Sequence, residues 1–161
     1  MSLFASDQYR WRETYSVLFR EADRPSARQL RKTLEGLGEG YRVTDVTSGP
    51  DGHVEAMTLL APADFAGMDL SYVSGEEVRE QIEQLKAERR KKAVSKKEQE
   101  KLQRLSECDA RFDVFHFQQV VGDDSDDEDE FMDPGSLITV LKCLAQLCRG
   151  VGIDPQTGAL M

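Results

Sequence analysis

Ala110-Arg111-Phe112-Asp113-Val114-Phe115-His116-Phe117-Gln118-Gln119-Val120-Val121 carries apolar side chains on both faces of an extended chain. With a strand's period of two, Phe112, Val114, His116 and Val120 share one face, and Phe115, Phe117 and Val121 take the other. This pattern predicts a strand well buried at least in part, and the elements around it are read outward from there.

Towards the amino end lies a long helical stretch. Ser74 and Glu77 have capping-box spacing, and Val78, Ile82 and Leu85 continue as a helical stripe. From Lys86 to Arg104 the stripe almost vanishes into nine bases and three acids. That composition predicts a projecting basic helical arm over residues 86–106. Ser95 and Glu98 repeat the capping-box spacing, so the arm is either one rod, the slightly favoured form, or a pair of helices broken near Val94. Before it, residues 61–73 form a polar and aromatic stretch, read as a long loop of the kind that carries function.

Further back, Tyr41 to Thr47 and His53 to Leu60 read as a hairpin about Ser48-Gly49-Pro50-Asp51-Gly52. Ser26 and Gln29 open a helix whose stripe is Ala27, Leu30, Leu34 and Leu37, and Trp11 to Phe19 alternate as a strand. Beyond Val121, seven carboxylates crowd Asp123 to Glu130, within an acidic flexible loop over residues 122–132. Asp133 and Pro134 then open a helix with Leu137, Val140, Leu141, Leu144, Leu147 and Cys148 on one stripe. Val151-Gly152-Ile153 and Ala159-Leu160-Met161 suggest a short terminal hairpin or an added edge strand.

The element order predicts one α+β domain over residues 1–161. Its expected form is a ferredoxin-like (split βαβ) antiparallel sheet with helices on one face, extended by a carboxyl-terminal helix and short strand. The length of 161 residues suits one core, although 39% hydrophobic and 32% charged residues leave some segments outside it.

A formal net charge of −9 argues against nucleic acid as a partner. No stretch approaches 18 apolar residues, and the amino end lacks a basic start followed by an apolar run, so a cytoplasmic protein without a membrane partner is expected. Cys108, Cys143 and Cys148 have no CxxC spacing and read as small core residues. No cofactor motif is present: the chain has no GxSxG, P-loop, HExxH or GxGxxG.

Candidate catalytic residues are His116 and, in the 61–73 loop, Asp64, Asp69 and Tyr72. They would suit acid/base or metal chemistry if the loop and the histidine met. Asp113 cannot serve His116 on a regular strand, because it points to the opposite face. Asp123, Asp124, Asp126 and Asp127 are candidate cation ligands, but no register supplies the glycine and glutamate of an EF-hand. Arg89, Arg90, Lys91, Lys92, Lys96 and Lys97 are the candidate partner-binding residues. A strand of about twelve residues, roughly 40 Å, separates the acidic loop from the basic half of the arm, so the two blocks invite contact between molecules.

Asp64 through Val78, together with Phe112-Asp113-Val114-Phe115-His116-Phe117 and Asp133-Pro134-Gly135-Ser136-Leu137, resembles a family of bacterial proteins of unknown function. The resemblance implies a bacterial cytoplasmic origin and transfers no catalytic or ligand-binding residue. The expected function is a noncatalytic protein-interaction or regulatory module, with a protein partner or a second copy of the chain. The alternatives are a metal-dependent or acid/base enzyme built on the 64–73 loop and His116, and a small-ligand sensor using the sheet face.

Overall fold

The computed structural model describes residues 3–89, 95–120, 135–154 and 156–160. Six strands form a single sheet: β1 (Tyr9–Phe19), β2 (Arg42–Ser48), β3 (Val54–Ala61), β4 (Ala66–Ser74), β5 (Ala110–Gln119) and β6 (Val151–Ile153). Their spatial order is β2-β3-β4-β5-β1-β6, and every pairing is antiparallel. The helices are α1 (Ala27–Glu35), α2 (Glu76–Arg89), α3 (Lys96–Leu105) and α4 (Gly135–Cys148). The fold is therefore α+β with an open antiparallel sheet.

The split βαβ topology is not confirmed: α1 joins β1 to β2, which run parallel, but three strands, β3, β4 and β5, lie between them where a split βαβ has one. The difference traces to residues 66–74. Expected as loop as far as Val73, they form β4, which pairs with β3 on one side and β5 on the other. Met68 and Leu70 point into the core from alternate positions, as a strand requires. Gly67 and Asp69 face the other way and serve the amino-terminal segment. A Cβ at Gly67 would lie 2.7 Å from the Leu3 side chain, and Asp69 Oδ2 accepts the Leu3 N–H at 2.9 Å. A short 3-10 turn, Leu3–Ala5, is thus fastened across that side of the sheet.

Helices cover both faces, which corrects the expectation of one helical face. On the first face, α1 and α4 bury Leu30, Leu34, Leu137, Val140, Leu141 and Leu144 against Val17, Phe19, Met68, Leu70, Phe112 and Val114. On the second, α2 and α3 bury Val78, Ile82, Leu85 and Leu105 against Leu18 and β6. The physical reason is the run Val17-Leu18-Phe19, fully buried at all three positions. Successive strand residues point to opposite faces, so Leu18 needs a second cover. A register shift between Trp11 and Glu13 also turns Trp11 out of line with the core face of β1, pairing it with Phe117, and leaves it exposed.

The basic stretch holds two separate helical segments. Ser95 is extended, and its hydroxyl accepts the Glu98 N–H at 3.2 Å, so α3 begins with its own cap. Leu105 is fully buried against the second face, with Leu102 packed beside it.

Candidate functional site

The catalytic candidates do not converge. His116 is wholly buried on the α1/α4 face, and its Nδ1–H donates to Glu13 Oε1 at 3.3 Å. Its Nε2 has no hydrogen-bond partner among the described residues, and neither does the buried Ser136 hydroxyl. Asp69 points from the opposite face, where its two oxygens accept from Leu3 N–H and from the Thr58 hydroxyl at 2.7 Å. Tyr72 shares the face of His116 but pairs in register with Phe112, four residues before the histidine on β5, and its hydroxyl donates to Glu21 Oε1 at 3.2 Å. Asp64 ends the short 3-10 turn before β4 and is half-buried. A groove of about 280 Å³ on the second face includes Phe4, Asp69 and Phe115 but not His116. Asp113 takes the Ser16 hydroxyl at 2.8 Å and Arg111 Nε at 3.0 Å, away from His116.

Burial holds the His116 imidazole below its ordinary pKa; Glu13 pulls it upward, less strongly, and Arg12 pushes it down. Folded His116 therefore stays neutral where the unfolded chain takes up a proton. The corresponding stability is complete above about pH 6.5 and is lost as pH falls from there towards the depressed folded value. Urea unfolding between pH 7.5 and 5 should show wild type losing stability faster than His116→Leu. Parallel profiles would contradict this role for the histidine.

The cysteine thiols are poor nucleophiles. Burial, with help from Asp109 and Glu107, pushes Cys108 up to about 11, and burial pushes Cys148 up to about 12. Among the described residues, no group of three His, Cys, Asp or Glu side chains could hold a metal ion. Asp123, Asp124, Asp126 and Asp127 lie outside the described residues. No helix of the described residues is long and apolar enough to cross a membrane.

The basic residues are distributed differently from the sequence run. Arg89 is engaged within the fold, Nη1 with Glu98 and Nη2 with the Gly158 carbonyl, which clasps the end of α2 to the start of α3. Lys96 and Lys97 are exposed on the first turn of α3. Arg90, Lys91 and Lys92 lie outside the described residues.

A second set of bases, which the sequence reading did not group, gathers around α4. A cleft of about 560 Å³ is lined by Arg20 beyond β1, Arg104 in the last turn of α3 and Arg149 just beyond α4. A neighbouring groove of about 610 Å³ is lined by Lys32 of α1 and Lys142 of α4. Gln146 lines both, so the two adjoin. Among the described residues, Glu107 is the only carboxylate in either lining. Arg104 is the last base of the 86–104 run, but Arg20, Lys32, Lys142 and Arg149 lie far from it in the chain and from one another, so no charge run announces the group.

Comparison with protein-family models, with curated proteins and with solved structures finds no match to this chain.

Proposed function

We propose that the chain is a noncatalytic protein-interaction or regulatory module that receives an acidic segment of a protein partner along α4. The observation carrying this reading is the collection of Arg20, Lys32, Arg104, Lys142 and Arg149 around two adjoining clefts, in a chain of net charge −9. Opposed charge of this kind steers an encounter and rejects wrong partners more than it adds raw affinity. The exposed Lys96 and Lys97 add positive charge to the first turn of α3, the helix whose last turn carries Arg104. The separation of His116, Asp69, Tyr72 and Asp64 supports a noncatalytic role, since acid/base work needs groups within hydrogen-bond reach of one substrate.

Fluorescence anisotropy with a labelled ten-residue Asp/Glu-rich peptide tests the reading, using its Asn/Gln counterpart as control. Only the acidic peptide should bind, more weakly in 300 mM than in 50 mM salt, and the double variant Lys32→Ala/Lys142→Ala should weaken it about tenfold. Equal binding of both peptides, or of neither, would contradict it.

A further inference from the structure

We infer that the Arg20–Arg104–Arg149 cleft is a recognition pocket that seats a side-chain carboxylate of the acidic segment, an inference that rests on the interaction reading above. Three arginines line it from three separate places in the chain, Arg20 just beyond β1, Arg104 in α3 and Arg149 just beyond α4. Arg20 gives its Nε to Asp23 at 3.2 Å, and no other side-chain bond ties it among the described residues. The side chains of Arg104 and Arg149 have no hydrogen-bond or ion-pair partner among the described residues. Ala145 and Gly150 leave room in the cleft, and the Cys108 thiol there is neutral at physiological pH. A guanidinium offers parallel N–H donors matched to a carboxylate's two oxygens, which a lysine cannot do.

The backbone at Arg149 supplies an independent observation. Gly150 N–H donates to the Ala145 carbonyl at 2.9 Å and Arg149 N–H to the Gln146 carbonyl at 3.4 Å, which is the Schellman ending of a helix. Its left-handed residue, normally glycine, is Arg149 at φ 55°. The glycine stands one position later, where a Cβ would lie 2.3 Å from the Leu18 carbonyl oxygen. The fold therefore holds an arginine in a conformation that costs stability and aims it from a fixed point, as happens where a side chain has a role beyond packing.

Helix-dipole complementation and nucleic-acid binding would each leave a different signature. Arginines at the ends of α3 and α4 complement the helix dipoles, and if that were their whole purpose Arg149→Gly would lower stability. A nucleic-acid phosphate would fit the charge, but the net −9 opposes a polyphosphate and the lining has no aromatic residue for bases to stack on.

The test is binding of the acidic ten-residue peptide to the full chain, with the melting temperature of each variant measured in parallel. Arg149→Gly should keep or raise Tm by about 3 °C, from relief of the left-handed strain, while weakening the peptide at least about tenfold. Arg104→Ala should weaken it similarly, and Arg149→Lys should recover only a small part of the loss. Binding by Arg149→Gly within about twofold of wild type would overturn the inference. So would full recovery by Arg149→Lys, a fall in Tm for Arg149→Gly, or tighter binding of a single-stranded DNA ten-mer. If the Lys32/Lys142 variant loses binding while the arginine variants keep it, the cleft fails and the interaction reading stands. If wild type does not bind the peptide, both fail.

Discussion

Replacing Gly150 by alanine is expected to destabilise the fold by about 3 kcal/mol or more, at the upper end of what overpacking costs. The added Cβ would sit 2.3 Å from the Leu18 carbonyl oxygen and 3.1 Å from its carbonyl carbon. Neither atom can step aside, because Leu18 is paired with both Arg111 of β5 and Val151 of β6. Relief would require α4 to lift from β1, and α4 supplies five of the buried side chains of the main core. Gly36→Ala, where a Cβ meets its nearest atom at 3.2 Å at the exposed end of α1, serves as the milder comparison. A urea midpoint for Gly150→Ala equal to that of Gly36→Ala would contradict the packing described for α4.

Phe112→Ala should cost about 3–5 kcal/mol, the range for removing a buried aromatic ring. Phe112 is wholly buried, its ring centroid 5.0 Å from that of Phe19 and 5.9 Å from that of Tyr72. Arg24 stacks over Tyr72 at 3.6 Å from the ring centroid, closing the outer side of the cluster. The ring is central to the face shared by α1 and α4, so its loss leaves a cavity between rigid elements with little freedom to collapse. Phe65, about half exposed, should change stability by no more than about 0.5 kcal/mol when made alanine. Equal midpoints for the two variants in chemical unfolding would contradict the placement of the core.

Much of the fold is legible in the sequence because local patterns and tertiary packing agree there. The β2–β3 hairpin and the stripes of α1 and α4 follow from periodicity. So does the burial of Phe112 and Val114 beside His116. β4 is obscured by residues that serve a distant segment. Gly67 makes room for Leu3 and Asp69 binds its N–H, and these two break the apolar character of a stretch whose Met68, Leu70 and Tyr72 nevertheless alternate. Placing that strand between β3 and β5 changes the topology, which no pattern inside the other elements could reveal. The second helical face does have a local sign, the three consecutive buried residues Val17, Leu18 and Phe19.

The candidate site is less legible. Charge patterning finds runs such as residues 86–104, whereas Arg20, Lys32, Lys142 and Arg149 meet one another and the run's last base, Arg104, only after folding. Within the run, Arg89 is engaged by Glu98 and Gly158. One local clue is the order Arg149-Gly150 after the last residue of α4, with the glycine one place later than a helix ending prefers.

The most direct test of the interaction reading is to follow backbone amide resonances of the full chain during titration with the acidic ten-residue peptide. The largest shifts should cluster at Arg20, Arg104, Gln146 and Arg149 and extend to Lys32 and Lys142. Shifts centred instead on Asp69, Tyr72 and His116, with the basic side of α4 unmoved, would contradict it.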